Sequence, residues 1–142
     1  MRVTIRAMKK PEQLVWLGLD REFGNDWIAQ RHEDKYSVGI PDVSFVYGVH
    51  GGWIELKAAA AGERLKIRPE QINWMARRVT RGQPCILLAR RGTDWAGALV
   101  DNATAELLRE PTNFDRLAAL GAFNTSARRV VDRCLEQYSG IQ

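Results

Sequence analysis

Apolar and polar positions along this chain alternate between two periods. Over 11–23 the pattern is helical, with Pro11 in the first turn and Leu14, Leu17 and Val15 as the expected apolar stripe. Over 69–81 it is helical again: Pro69 stands at the first position, Gly82 lies beyond the end, and Ile72, Met75, Ala76 and Val79 recur at core spacing. Between and after these segments the chain reads as strands. Residues 43–47 and 53–57 alternate, and 85–89 is almost continuously apolar, as in a buried strand reached by a crossover helix. Residues 95–100 supply a further strand, and Trp27-Ile28-Ala29 suits a short edge strand. Two amphipathic helices, 103–109 and 126–138, follow on either side of Pro111. The pattern predicts an α/β fold with a mixed sheet of four to five strands flanked by helices. It predicts a single domain over 1–142, with a core over about 11–100 and a helical C-terminal extension over about 101–142. Leu107, Leu108, Leu117, Leu120, Val130, Val131 and Leu135 give that extension an apolar surface for core or interface, and capping of the sheet is the favoured outcome.

The 43–57 region carries the chemistry. Pro41 biases Ile40 away from the helical region, so the chain around Asp42 is extended. Gly48, Gly51 and Gly52 supply turn chemistry before the strand that starts at Trp53. Side chains alternate along a strand, which sends Glu55 and Lys57 to one face and Ile54 and Leu56 to the other. Asp42, at the start of the partner strand, then lies opposite Glu55 and Lys57. Two converging carboxylates repel unless a cation separates them, and Mg²⁺ or Mn²⁺ prefers such oxygen ligands. That arrangement suits phosphodiester hydrolysis, with Lys57 orienting water or neutralising developing charge. A Glu-x-Lys pair on a strand also occurs on solvated faces. Glu12 faces the same choice, between a carboxylate approaching the hairpin and an acid complementing its helix dipole.

Composition changes the picture only in choosing a substrate. The 142 residues suit one domain with its own core, and 45% hydrophobic with 27% charged content describes an ordinary globule. A formal charge of +4 and a pI near 9.4 favour a polyanionic partner. Arg64, Lys66 and Arg68 follow the candidate site, Arg77, Arg78 and Arg81 crowd the next helix, and Arg90 and Arg91 end the next strand. Arg31, Arg64, Lys66, Arg68 and Arg78 are the candidates for contact with DNA, although surface arginines also serve solubility. His32 is the histidine nearest the acids in sequence, in a polar stretch that also holds Trp27, Arg31 and Asp34. Trp53 and Trp74 suit either core packing or stacking on unpaired bases at the border of the site.

Cys85 and Cys134 are too few for a zinc site and read as two buried thiols. The basic N-terminus lacks the apolar core of a signal peptide, and no apolar run reaches about 18 residues. An intracellular protein, in the cytoplasm or nucleoid of a host cell, is expected.

Gly39-Ile40-Pro41-Asp42, then Trp53-Ile54-Glu55-Leu56-Lys57, then Arg68-Pro69-Glu70-Gln71 with Trp74 and Gly82, resembles the PD-(D/E)xK nuclease superfamily and its VRR-NUC branch. The resemblance runs from about Glu12 to Ala89. It implies a metal-dependent nuclease in which Asp42 and Glu55 bind the ion with the backbone carbonyl of Leu56. It further implies that Lys57 assists the attacking water, that Gln71 lies on the helix beside the site, and that Glu12 is the first-helix acid and a further candidate ligand. Small stand-alone members, many viral, are similar to four-way (Holliday) junction resolvases acting as homodimers. The resemblance therefore implies a DNA recombination role on branched DNA. Flap, nick or single-strand cleavage and a non-cleaving DNA-binding accessory role remain the alternatives. The residues after Ala89, about fifty by the numbering, exceed the compact members of that family.

Overall fold

The structure, a computed structural model, describes residues 10–33 and 39–141. The basic N-terminal segment and Asp34 lie outside the described residues. Helix α1 (Lys10–Phe23) and a 3-10 turn (Gly24–Asp26) lead into β1 (Ile28–Arg31), β2 (Val43–Tyr47) and β3 (His50–Ala58). Helix α2 (Pro69–Thr80) connects β3 to β4 (Cys85–Arg91), which is followed by β5 (Asp94–Leu99), α3 (Asn102–Leu107), α4 (Phe114–Leu120), β6 (Ala122–Asn124) and α5 (Ala127–Gly140).

These strands form one mixed sheet in the order β1-β2-β3-β4-β5-β6. The β3–β4 pair, joined through α2, is parallel and the other pairs are antiparallel. The chain is therefore an α/β protein with a six-stranded sheet flanked by helices, one strand more than the largest number expected. The extra strand is β6, three residues long and half-exposed, too short to leave a period in the sequence. Helix α4 was likewise not expected: its seven residues begin just after Pro111, with Asn113 accepting from the Arg116 N–H as its cap.

Helices α1 and α5 pack on one another, α1 packs on β3, and α5 packs on β5 and β6. They cover the face that carries Ile54, Leu56, Ile86, Leu88, Trp95 and Leu99, since Gly18 of α1 meets Trp95 and Gly97 meets Val130 of α5. Helix α2 packs on β4 and α3 on the other side. The β4 residues Cys85 to Ala89 are buried between the two layers.

Two sequence expectations need correction. The buried stripe of α1 is Val15, Leu19 and Phe23, at fourfold spacing, whereas Leu14 and Leu17 are exposed. The stripe turns toward an aromatic wall made by Trp27, just before β1, and Tyr47 of β2: Phe23 stacks on Trp27 and meets the edge of Tyr47. The second correction concerns the hairpin, which turns over Gly48-Val49 so that Gly51 and Gly52 lie inside β3. Gly52 is there because a β-carbon would collide with the Pro84 carbonyl, the acceptor of the Trp53 N–H at 3.0 Å. The α2 stripe is as expected, with Ile72, Met75, Ala76 and Val79 all buried.

On the face that α1 and α5 cover, Glu22 of α1 caps α5: its carboxylate accepts from the Ser126 hydroxyl and from the Ala127 and Arg128 N–H groups. An acid at a helix N-terminus satisfies orphan donors and complements the dipole, which ties the last helix to the first. Among the described residues no helix is long and apolar enough to cross a membrane.

Candidate active site

The β2–β3 ladder ends at the pair Val43–Ile54, and Asp42 is the next residue outward. Its Oδ2 accepts the Leu56 N–H at 2.9 Å, so a side-chain carboxylate takes a donor that lies beyond the last paired residues. Leu56 is fully buried, and an unsatisfied amide there would be costly. This bond fixes the carboxylate of Asp42 across from Glu55.

Gly39 makes the approach possible. Its φ of 98° is in the left-handed region, and a β-carbon on it would meet the Glu70 carbonyl oxygen at 2.7 Å. The chain therefore passes tightly against the first turn of α2 before Pro41 directs it into β2.

Glu55 and Lys57 share the face opposite Ile54 and Leu56, and both are buried, at 2% and 8% exposure. Their charges meet at 3.2 Å, Lys57 Nζ to Glu55 Oε2. Gln71 of α2 closes the group. Its amide nitrogen donates to Glu55 Oε2 at 2.7 Å, while its oxygen accepts from Lys57 Nζ at 3.3 Å and from the Arg68 N–H at 3.2 Å. Two donors on one side and a carboxylate on the other fix the orientation of the amide. Gln71 is thus both the capping residue of α2 and a member of the acidic site, which locks the helix start to β3.

The structure brings Asp42, Glu55, Lys57 and Gln71 together. Glu12, half-buried in the first turn of α1, belongs to a helix packed on the opposite face of the sheet. Among the described residues no cluster of three or more His, Cys, Asp and Glu side chains is arranged to hold a metal, so Glu12 does not complete a triad with Asp42 and Glu55 in this conformation. Arg64, Lys66 and Arg68 are exposed along the loop between β3 and α2, which is tied to the C-terminal third by the Leu65 N–H to Thr112 carbonyl bond at 2.8 Å. Arg31 is registered with Val43, so its side chain leaves the sheet on the face opposite Glu55.

His32 and Ser44 extend the site beyond the acids. The His32 N–H donates to the Asp42 carbonyl at 2.7 Å, and its ring Nε2 pairs with the Ser44 hydroxyl at 2.8 Å. Its imidazole lies 5.2 Å from Trp53, which in turn meets the edge of Trp74 at 5.2 Å. Ser44 escaped sequence reasoning, and the signal available was its two-residue spacing from Asp42 on an alternating strand. Trp53 and Trp74 are half-buried at the border of the site and pack against the core. The thiols of Cys85 and Cys134 are buried, and burial pushes each up to about 12.

No family model matches the sequence, and no curated protein matches it. Among solved structures the chain is similar to Hjc of Archaeoglobus fulgidus, a Holliday junction resolvase from an archaeal hyperthermophile. The TM-score is 0.49 at 14% sequence identity, over 70% of this chain and 92% of that one.

Proposed function

We propose that this protein is a divalent-metal-dependent endodeoxyribonuclease of the PD-(D/E)xK superfamily, in its VRR-NUC branch, that nicks branched DNA and resolves four-way junctions as a homodimer. The observation that carries this reading is the joining of Asp42, held by the Leu56 N–H, to a buried Glu55 gripped by Lys57 and Gln71. Burying two charged groups at the end of a strand costs stability that an apolar pair would not. A catalytic site accounts for that cost.

The donor set fits Mg²⁺ or Mn²⁺. These ions are held by one or two carboxylates and keep several waters, and the carboxylates of Asp42 and Glu55 with the Leu56 carbonyl meet that need. When bound, the ion supplies Lewis-acid polarisation of the phosphate and acidifies water. The chain's own groups do the rest. Lys57 has three donors, and among the described residues Glu55 and Gln71 engage two of them, so a third is available to water or a phosphate oxygen. Gln71 holds Glu55 and Lys57 in register, and Arg64, Lys66 and Arg68 bring positive charge to the same end of α2.

The homodimer belongs to this reading because resolution takes two coordinated cuts, which a two-fold dimer supplies with two equivalent sites. Support comes from the edge strand β1 and its neighbour β2, where Ile28 and Val46 are exposed, Ile28 at 76%. A labelled four-way junction, flap, linear duplex and single strand, each with Mg²⁺, Mn²⁺ or chelator, test it. Paired symmetric nicks on the junction are expected. Preferential cutting of flap or single strand would replace the resolvase with a processing nuclease.

One observation favours a second reading, a non-cleaving DNA-binding accessory protein: Lys57 already balances the charge of Glu55 at 3.2 Å. DNA binding that persists without cleavage in any metal would select it.

A further inference from the structure

About one to three turns along α2 from Gln71 the chain carries a second group that the acidic site does not use. Trp74, Arg77, Arg78 and Arg81 line an open cleft of about 360 Å³. Basic residues in a last helical turn complement the dipole, but that effect asks nothing of their orientation. Here the orientation is built. The Arg78 guanidinium lies over the Trp74 ring at 4.1 Å and donates through Nη1 to Gln83 Oε1 at 3.3 Å. Gln83 Oε1 also accepts from Trp53 Nε1 at 3.0 Å, and Trp53 packs edge-on against Trp74. Trp53 stands two residues before Glu55 on the same face of β3, which links the cleft to the acids through one strand and one helix.

Among the described residues none of Arg77, Arg78 and Arg81 is ion-paired. Three exposed guanidinium groups, one of them stacked and hydrogen-bonded in place, make a site for a tetrahedral dianion or a phosphodiester, because the planar fork matches phosphate oxygens. At 1.5 Å per residue, Arg78 and Arg81 lie about 10 and 15 Å from Gln71 along the helix axis. A duplex strand rises about 3.4 Å per nucleotide along the axis while also winding around it, so successive phosphates are further apart in space than that rise and the offset spans about two nucleotides. We infer that this cleft is a phosphate clamp that grips the backbone of the DNA strand about two nucleotides from the phosphate presented to Glu55. The inference rests on the nucleic-acid reading above and deepens it by fixing a second contact and its spacing.

The test is a binding measurement in chelator, where cleavage plays no part. Wild-type protein and variants are titrated with a fluorescent four-way junction across a series of salt concentrations, with thermal midpoints checked alongside. Arg78→Ala/Arg81→Ala is expected to weaken binding about tenfold or more at moderate salt and to make the plot of log affinity against log salt shallower by about one to two units. Arg77→Ala/Arg81→Ala, which leaves the Arg78–Trp74 stack in place, is expected to move the slope in the same direction. Arg129→Ala/Arg133→Ala removes the same charge from exposed positions on α5 and is expected to keep the wild-type slope. Equal slope changes in the α2 and α5 variants would overturn the clamp in favour of diffuse attraction. Arg78-dependent binding of a deoxynucleoside monophosphate, as tight as that of the junction, would overturn it in favour of a small-ligand site. A protein that shows the slope change yet cuts nothing keeps the clamp and loses the nuclease reading. One that cuts DNA with a slope indifferent to Arg78 and Arg81 loses the clamp alone.

Discussion

Asp42 Oδ2 accepts the backbone N–H of Leu56 at 2.9 Å, so the acid that opens β2 is held by the strand that carries Glu55 and Lys57. Position and stability are coupled through that one bond. Asp42→Ala is expected to abolish metal-dependent cleavage and to cost about 1–3 kcal/mol by orphaning a buried amide. Asp42→Asn keeps an acceptor for Leu56, so it should recover most of the stability and none of the cleavage. Urea unfolding beside a nicking assay separates the two effects, and equal stability of the two variants would contradict the coupling.

The Glu55–Lys57 pair predicts non-additive substitutions. Glu55→Gln leaves the Lys57 ammonium buried beside a neutral amide and is expected to destabilise by about 3 kcal/mol. Glu55→Gln/Lys57→Met removes both charges and should be more stable than that single variant, with a coupling above about 1 kcal/mol in a double-mutant cycle. Additivity in denaturant unfolding would show that the two charges do not support each other.

Gln71 touches Glu55, Lys57 and the Arg68 N–H at once. Gln71→Ala is therefore expected to lower the cleavage rate about 10- to 100-fold, as removal of an orienting group does, and to cost about 1 kcal/mol as the helix start loses its cap. Rate and unfolding midpoint measured on one preparation check both.

Legibility in the sequence followed the range of the interactions involved. Asp42, Glu55 and Lys57 were readable because strand alternation and one hairpin set their faces, whereas Gln71 came from the resemblance, since a helix start at Pro69 does not say which of its side chains meets the acids. The burial of Leu19 and Phe23 in place of Leu14 and Leu17 was not readable, since the choice of face on α1 depends on Trp27 and Tyr47, which come later in the chain. Helix α4 and strand β6 are too short to show a period, and the Glu22 cap of α5 joins residues more than a hundred positions apart. The Arg78–Trp74 stack joins two positions four apart on one helix face, a spacing that allows the contact without dictating it.

Burial also predicts alkaline sensitivity. The native thiols of Cys85 and Cys134 sit at about 12, whereas the unfolded chain releases those protons near 8.5. Above about pH 9 the unfolded state holds fewer protons than the native state, so stability falls as pH rises and continues to fall until the folded value is reached. Burial raises Tyr47 and Tyr138 as well, which adds to the loss above about pH 10. A lower urea midpoint at pH 10 than at pH 8, with the slope reduced in Cys85→Ala/Cys134→Ala, is the expected result.

Gly39 is the hinge of the approach to the site. Gly39→Ala places a side chain at a φ of 98° and against the Glu70 carbonyl, so it is expected to cost about 1–3 kcal/mol and to reduce cleavage by displacing Asp42. Thermal unfolding with the nicking assay reads both.

The most direct test of the central claim is the nicking of a labelled four-way junction by wild-type protein and by Glu55→Gln, in Mg²⁺ and in chelator, at a temperature where both are folded. Metal-dependent nicks from the wild type alone are the predicted result. Equal cutting by Glu55→Gln, cutting that survives the chelator, or a folded wild-type protein that leaves the junction intact would contradict the claim.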